Sequence, residues 1–212
     1  MDATQGRLVC PIIACETAGA ASLAASLSAS YEANKPTLAR LPLISTIATS
    51  IGASQVSAEC LERCLQHDNA TGLTSVVMDD ARALDIVRQF TGEPPLLPIL
   101  PRPAPAVRFL LAQTRFNGAA ADDHAFFVEP ACSAALAPVY EPAILRAALP
   151  SLALAEAGRK PPPEAPSIVV VVCGGNTMSL SMVHEWERRF SGQGLGEVRV
   201  MRQGREEVLK AH

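Results

Sequence analysis

Thr74-Ser75-Val76-Val77-Met78-Asp79-Asp80-Ala81-Arg82-Ala83-Leu84-Asp85-Ile86-Val87-Arg88-Gln89-Phe90 is the stretch on which the reading of the fold turns. Thr74 to Met78 is a short run rich in apolar and β-branched residues that ends at an acidic pair, which reads as a strand. At Asp79 and Asp80 the period changes. Ala83, Ile86, Val87 and Phe90 then share one helical face, and the acidic pair stands where the helix dipole favours negative charge. A strand running straight into a helix is the repeating unit of an α/β protein.

Upstream the same rhythm recurs. Residues 8 to 15 form an apolar run that reads as a buried strand, and the Ala-, Leu- and Ser-rich stretch 20 to 30 reads as a helix by propensity. Ile44, Ile47 and Ile51 recur at helical spacing from Leu41-Pro42 to Gly52, which would stop a helix. Ser54 to Ser57 reads as a short strand and Ala58 to His67 as a helix. Strands alternating with helices predict a mainly parallel sheet covered on both faces.

Downstream the rhythm breaks at Thr91 to Ala120, which contains Pro94, Pro95, Pro98, Pro101, Pro103 and Pro105. So long a stretch without periodicity is unusual inside a compact domain. Alternation resumes with Phe126-Phe127-Val128, a helix opened by Pro130, a Pro-rich connector from Arg159 to Pro166, and a strong strand from Ile168 to Val172. A last helix spans roughly 179–190, and the Gly-rich, charged residues 191–212 read as a flexible tail. The expected division is 1–90 and 121–190 as parts of one domain, 91–120 as an irregular insertion, and 191–212 as the tail.

Composition narrows the function classes. The 212 residues are 49% hydrophobic and 18% charged, with a formal charge of -3 and an isoelectric point near 5.8. That balance leaves no basic footprint for nucleic acid or an acidic membrane surface. The early apolar run is eight residues long and broken by Pro11, too short for a membrane span or a signal core. The expectation is a cytoplasmic protein with no nucleic-acid or membrane partner. Cysteines at 10, 15, 60, 64, 132 and 173 form no Cys-x-x-Cys pair and read as reduced, mostly buried thiols. Cys60, Cys64 and His67 share a helical face but lack a fourth metal ligand. His124 and His184 have no identifiable catalytic partner.

Four short segments carry the chemistry: Glu16-Thr17-x-Gly19-Ala20; Leu41-Pro42-x-Ile44-x-x-Ile47-Ala48-x-x-Ile51-Gly52-Ala53; Val128-Glu129-Pro130-Ala131-Cys132-Ser133-Ala134-Ala135-Leu136; and Val172-Cys173-Gly174-Gly175-Asn176. In this order they resemble the C-terminal half of eukaryotic-type L-serine dehydratase, a fold-type II pyridoxal phosphate enzyme similar to the tryptophan synthase beta subunit. Four ordered motifs are far more specific than any one alone. The resemblance implies a partial three-layer α/β sandwich and a β-elimination that converts serine, and secondarily threonine, to the keto acid and ammonia. The cofactor is the electron sink, while the protein supplies orientation and electrostatics. Such enzymes are often homodimers.

By the same resemblance, Cys173 faces the pyridine nitrogen as a weakly donating thiol, and Gly174 and Gly175 let the backbone approach the ring. Read without it, Cys173 is a small buried residue at a strand end. Glu16, the Ala20 carbonyl, Ser22 and backbone oxygens near Ile51 and Ala53 match a monovalent-cation site built of hard oxygen ligands. Glu16 equally reads as an acid complementing a helix start. Glu129-Pro130 reads as a strand-to-helix turn, with the acid near the first-turn amides.

The chain departs from the family in two places. The family's imine-forming lysine lies in a Ser-x-Lys motif and its phosphate is held by a glycine-run loop. Neither occurs here, where the lysines are Lys35, Lys160 and Lys210. Without the imine and the phosphate cradle the isolated chain is expected to be inactive, with exposed sheet edges and marginal solubility. The stretch 91–120 is also foreign to the family pattern, reading either as untranslated-type sequence or as a surface loop. Two functions therefore stand: a piece of an L-serine ammonia-lyase, or a non-catalytic relative acting as an interaction or regulatory module.

Overall fold

The computed structural model describes residues 10–90, 128–150, 168–172, 174 and 178–210. Strand β1 (Ile12–Thr17) leads through a 3-10 turn at Ala18–Ala20 into helix α1 (Ser22–Ala33). Helix α2 (Ala58–Ala70), strand β2 (Leu73–Met78) and helix α3 (Asp80–Phe90) follow, then α4 (Pro130–Tyr140), α5 (Pro142–Ala148) and α6 (Leu180–Phe190). Strands β3 (Val198–Arg202) and β4 (Arg205–Leu209) close the described chain. No helix among the described residues is long and apolar enough to cross a membrane.

The four described strands stand in the order β1-β2-β3-β4. The expected mainly parallel sheet is not found. β1 pairs with β2 in parallel, from Ile12 opposite Leu73 to Thr17 opposite Met78, whereas β2–β3 and β3–β4 are antiparallel. The sheet is mixed because the stretch expected as a flexible tail is a hairpin. Gln203 (φ 47°) and Gly204 (φ 74°) both take positive φ, the condition for a tight two-residue hairpin loop. Val198, Val200 and Met201 are buried while Arg199 and Arg202 stay exposed, so two interspersed arginines hide an ordinary half-buried strand.

Helices cover both faces, each selected by the period of two along the strands. On one face Val76, Met78, Val198 and Val200 pack against Ile86, Val87 and Phe90 of α3, Leu136 of α4 and Ile144 of α5. On the other, Leu73 and Met201 pack against Leu27 of α1 and Leu61 of α2. Full burial of a side chain such as Ile86 or Leu61 stabilises the fold by about 1.5–3 kcal/mol. A smaller cluster joins α6 to α3 through Ile47, Ala81, Leu84, Val183 and Phe190.

Three further expectations are corrected. Residues 41–52 form no helix beyond a 3-10 turn at Thr49–Ile51, because tertiary partners take the backbone amides. Leu41 N–H donates to the Ser54 carbonyl (2.7 Å) and Ser45 N–H to the Gly19 carbonyl (3.0 Å), while Ile47 N–H donates to the Asp80 carboxylate (3.0 Å). Residues 54–57 form no strand, and the Ser57 side chain instead caps α2 by accepting from Cys60 N–H. Ile168 to Val172 belongs to no sheet. Val170 packs on the larger core cluster, but Val169 and Val171 are 89% and 72% exposed. Cys10 and Cys60 are exposed rather than buried. The insertion 91–120 lies outside the described residues.

Candidate functional site

Parallel strands in an α/β sheet deliver their following loops to one end, where ligands of such folds bind. β1 and β2 end at Thr17 and Met78, and the residues just beyond them organise the site. Asp79 accepts from Arg82 N–H (2.8 Å), capping α3, and its other oxygen accepts from Gly196 N–H. Asp80 accepts from the Thr46 hydroxyl and Ile47 N–H, and Thr46 Oγ1 lies 2.9 Å from Thr17 Oγ1. The acidic pair thus does more than complement the helix dipole: it holds the 41–52 segment and the approach to β3 over the strand ends.

The third and fourth motif segments reach the same place. Glu129 is the N-cap of α4 but makes no side-chain cap; its Oε2 accepts from the Ser50 hydroxyl at 2.7 Å. The expectation that its acid lies near the first-turn amides is corrected, because the carboxylate turns instead to the hydroxyl of Ser50. Glu129 N–H donates to the Gly174 carbonyl at 3.4 Å. Segments far apart in the chain, at 16–20, 45–51, 129–131 and 174, are therefore joined by hydrogen bonds at the carboxyl ends of β1 and β2. A cavity of about 200 Å³ opens there, with Ile47, Ser50, Glu129, Met182 and Trp186 in its lining.

Gly19 shows how tightly this corner closes. A Cβ built on it would stand 1.7 Å from the Ser45 carbonyl oxygen, so only glycine permits the contact. Gly174 is the opposite case: an added Cβ would meet nothing within 4 Å, leaving open space beside its backbone. Cys173 and Gly175 lie outside the described residues.

Glu16 Oε1 and Oε2 accept from Leu23 N–H (2.9 Å) and Ala24 N–H (2.8 Å) in the first turn of α1. Burial pushes its carboxyl above the ordinary value of 4.5, and the two amide bonds pull the other way. Ala20 and Ser22 are buried in the same turn. The Ile51 carbonyl accepts from Ala53 N–H at 2.8 Å, and Ala53 is exposed. Among the described residues no group of three or more His, Cys, Asp or Glu side chains could hold a metal ion. His67 Nε2 lies 3.0 Å from the Cys10 carbonyl, which accounts for its ring without a metal.

The lysines test the fit of a covalently held pyridoxal phosphate. Lys35 and Lys210 are exposed and neither lines the cavity over the strand ends; Lys160 lies outside the described residues. The described residues accordingly present an open glycine backbone but no amine, and they do not fit a cofactor held by an imine.

Sequence reading missed the Thr17–Thr46–Asp80 chain and the Ser50–Glu129 bond, since both join residues far apart in the chain. The one local signal was polarity: Thr46 and Ser50 interrupt the isoleucine spacing on which a helix was read.

No family profile matches the chain. Curated proteins do. The chain is 30% identical over 187 residues to "L-serine dehydratase/L-threonine deaminase" of Mus musculus, covering 88% of this chain and 42% of that protein. It is 33% identical over 181 residues to "Serine dehydratase-like" of Rattus norvegicus (85% and 40%) and 32% identical over 172 residues to the Homo sapiens protein of that name (80% and 37%). The chain spans about two fifths of the length of these relatives. The resemblance to L-serine dehydratase read from four motifs is matched along most of the chain.

Proposed function

We propose, from this likeness to the serine dehydratases, that the chain is a piece of a pyridoxal phosphate-dependent L-serine (threonine) dehydratase of the fold-type II class. In this reading it supplies the wall of the cofactor site and does not deaminate serine by itself. The observation that carries the proposal is the meeting of the four motif segments at the ends of β1 and β2, through Ser45–Gly19 and Glu129–Gly174, Thr17–Thr46 and Ser50–Glu129. Sequence likeness alone does not require residues this far apart to touch.

The roles follow residue by residue. Cys173, Gly174 and Gly175 form the wall at the ring, with open space beside Gly174 to receive it. Glu16, Ala20, Ser22, Ile51 and Ala53 frame the neighbouring cation position, with Glu16 also fastening the start of α1. Residues 1–90 and 121–190 are parts of one large domain, interrupted at 91–120. Inactivity follows from the missing amine: pyridoxal phosphate supplies the electron sink for β-elimination, and without a lysine to hold and relay protons that sink is not used.

The second reading, a non-catalytic interaction module, is favoured by one observation: Ile12 on β1 and the run at Val169, Val171 and Val172 are exposed apolar surface. Such surface marks a contact with further polypeptide, as a subunit that joins an intact relative would make.

Incubation with pyridoxal phosphate, borohydride reduction and peptide mapping test the leading reading. The expected result is scattered, substoichiometric labelling of Lys35, Lys160 and Lys210. Stoichiometric reduction onto one lysine would overturn the wall-only role. A gain in activity of an intact relative on adding this chain would favour the module.

A further inference from the structure

The face of the sheet opposite α3 leaves a second cavity, of about 380 Å³, between α1 and strands β2, β3 and β4. It exists because α1 turns small side chains toward the sheet. Ala21, Ala25 and Ala29, spaced by one helical turn, line one wall, and Val77 and Met201 line the other. Methyl groups cannot fill the gap that leucines fill further along at Leu27 and Leu61.

Its polar groups are not spent on the fold. Arg199 and Glu206 line the cavity from β3 and β4, and neither is engaged in any of the ion pairs or side-chain hydrogen bonds of the described residues. Glu32 adds a second carboxylate from the end of α1, its Oε1 accepting only from the Ser28 hydroxyl at 3.3 Å. Ser75, in the middle of β2, also lines it and is 1% exposed, yet its hydroxyl has no hydrogen-bond partner. Buried hydroxyls are nearly always bonded, so an orphan beside a cavity points to an occupant.

We propose that this cavity binds a small zwitterion, a free α-amino acid with an apolar side chain. Its carboxylate pairs with Arg199, its ammonium lies between Glu32 and Glu206, Ser75 supplies a rotatable hydroxyl, and the side chain lies between the alanine wall and Met201. One cation on β3, with one anion beside it on β4 and another on α1 across the slot, is the complement of a molecule with both charges on one carbon. An anion alone meets two carboxylates, and a cation alone meets the guanidinium. The site faces α1 rather than the cavity beside α6, so it stands or falls independently of the dehydratase reading.

Titration calorimetry of the full chain with L-methionine tests it, alongside methioninol, which lacks the carboxylate, and 4-(methylthio)butanoate, which lacks the ammonium. Saturable binding of L-methionine, at least tenfold weaker for either analogue, is expected. Arg199→Met and Glu206→Gln lie on exposed positions and should weaken binding at least tenfold with an unchanged circular dichroism spectrum. Ser75→Ala separates a ligand role from a packing role: it should weaken binding severalfold while leaving the unfolding midpoint level or raised. No saturable heat at 10 mM, equal binding of the analogues, or affinity retained in Arg199→Met would each overturn the proposal.

Discussion

The two faces of the sheet are built on opposite plans. Toward α3, α4 and α5 the strands present Val76, Met78, Val198 and Val200, all at or below 2% exposure, against large side chains from three helices. Toward α1 they present Ser75, Arg199 and Met201 across an alanine-lined gap. The lesson is that helix position does not fix packing. A helix laid on a sheet closes the interface only if its side chains span the distance, and α1, Ala- and Ser-rich throughout, does so only near Leu27.

The sharpest way to break this contrast is to attack the closed side. Arg82 is 5% exposed, pairs with Glu141 and donates to the Gly196 carbonyl at 2.7 Å. Arg82→Met strands Glu141 at a mostly buried position and should cost about 3–5 kcal/mol in urea unfolding. Ala83→Leu, at a fully buried position on α3, should cost about 1–3 kcal/mol by overpacking. The matched change on the open side, Ala25→Leu, enters free volume and should shift stability by less than about 1 kcal/mol. Equal costs for the two leucine variants would erase the distinction between the faces.

A smaller effect is expected at Glu16, which faces α1. Its folded pKa is raised by burial, so above the ordinary value of 4.5 the folded state keeps a proton that the unfolded state has lost. Stability therefore falls as pH rises from the unfolded value of 4.5 through the folded one, and Glu16→Gln should remove that part of the slope in unfolding curves above pH 4.5. The smallest perturbation is chemical. Burial pushes the Cys15 thiol up to about 12 and, with the neighbouring Cys60, pushes Cys64 up to about 11. Iodoacetamide at pH 8 should modify exposed Cys10 and Cys60 well before Cys15 and Cys64, as read by peptide mass spectrometry.

These contrasts also mark what the sequence can reveal. β2 and α3 were legible because their burial follows from residues adjacent in the chain, as were α1, α2, α4 and α6 to within a few residues. Residues 41–52 were misread because helical spacing of Ile44, Ile47 and Ile51 says nothing about Asp80 and Gly19, whose oxygens claim the amides a helix needs. Ile168 to Val172 was misread because β propensity describes a segment's fitness for pairing and not whether a strand stands beside it. The hairpin at β3 and β4 was missed because its arginines and glutamates resemble a solvated tail until Val198 and Val200 are seen to alternate inward. At the site, local order exposed the four motifs; the hydrogen bonds that join them are tertiary and carry no local signature.

The central proposal is that this chain supplies the wall of a pyridoxal phosphate site and that none of its three lysines serves the cofactor. Pyruvate release from L-serine by the purified chain, with saturating pyridoxal phosphate and a potassium salt, measures it directly. The account predicts no release above that of the free cofactor. Serine-dependent turnover that saturates and is lost on replacing Lys35, Lys160 or Lys210 would contradict it.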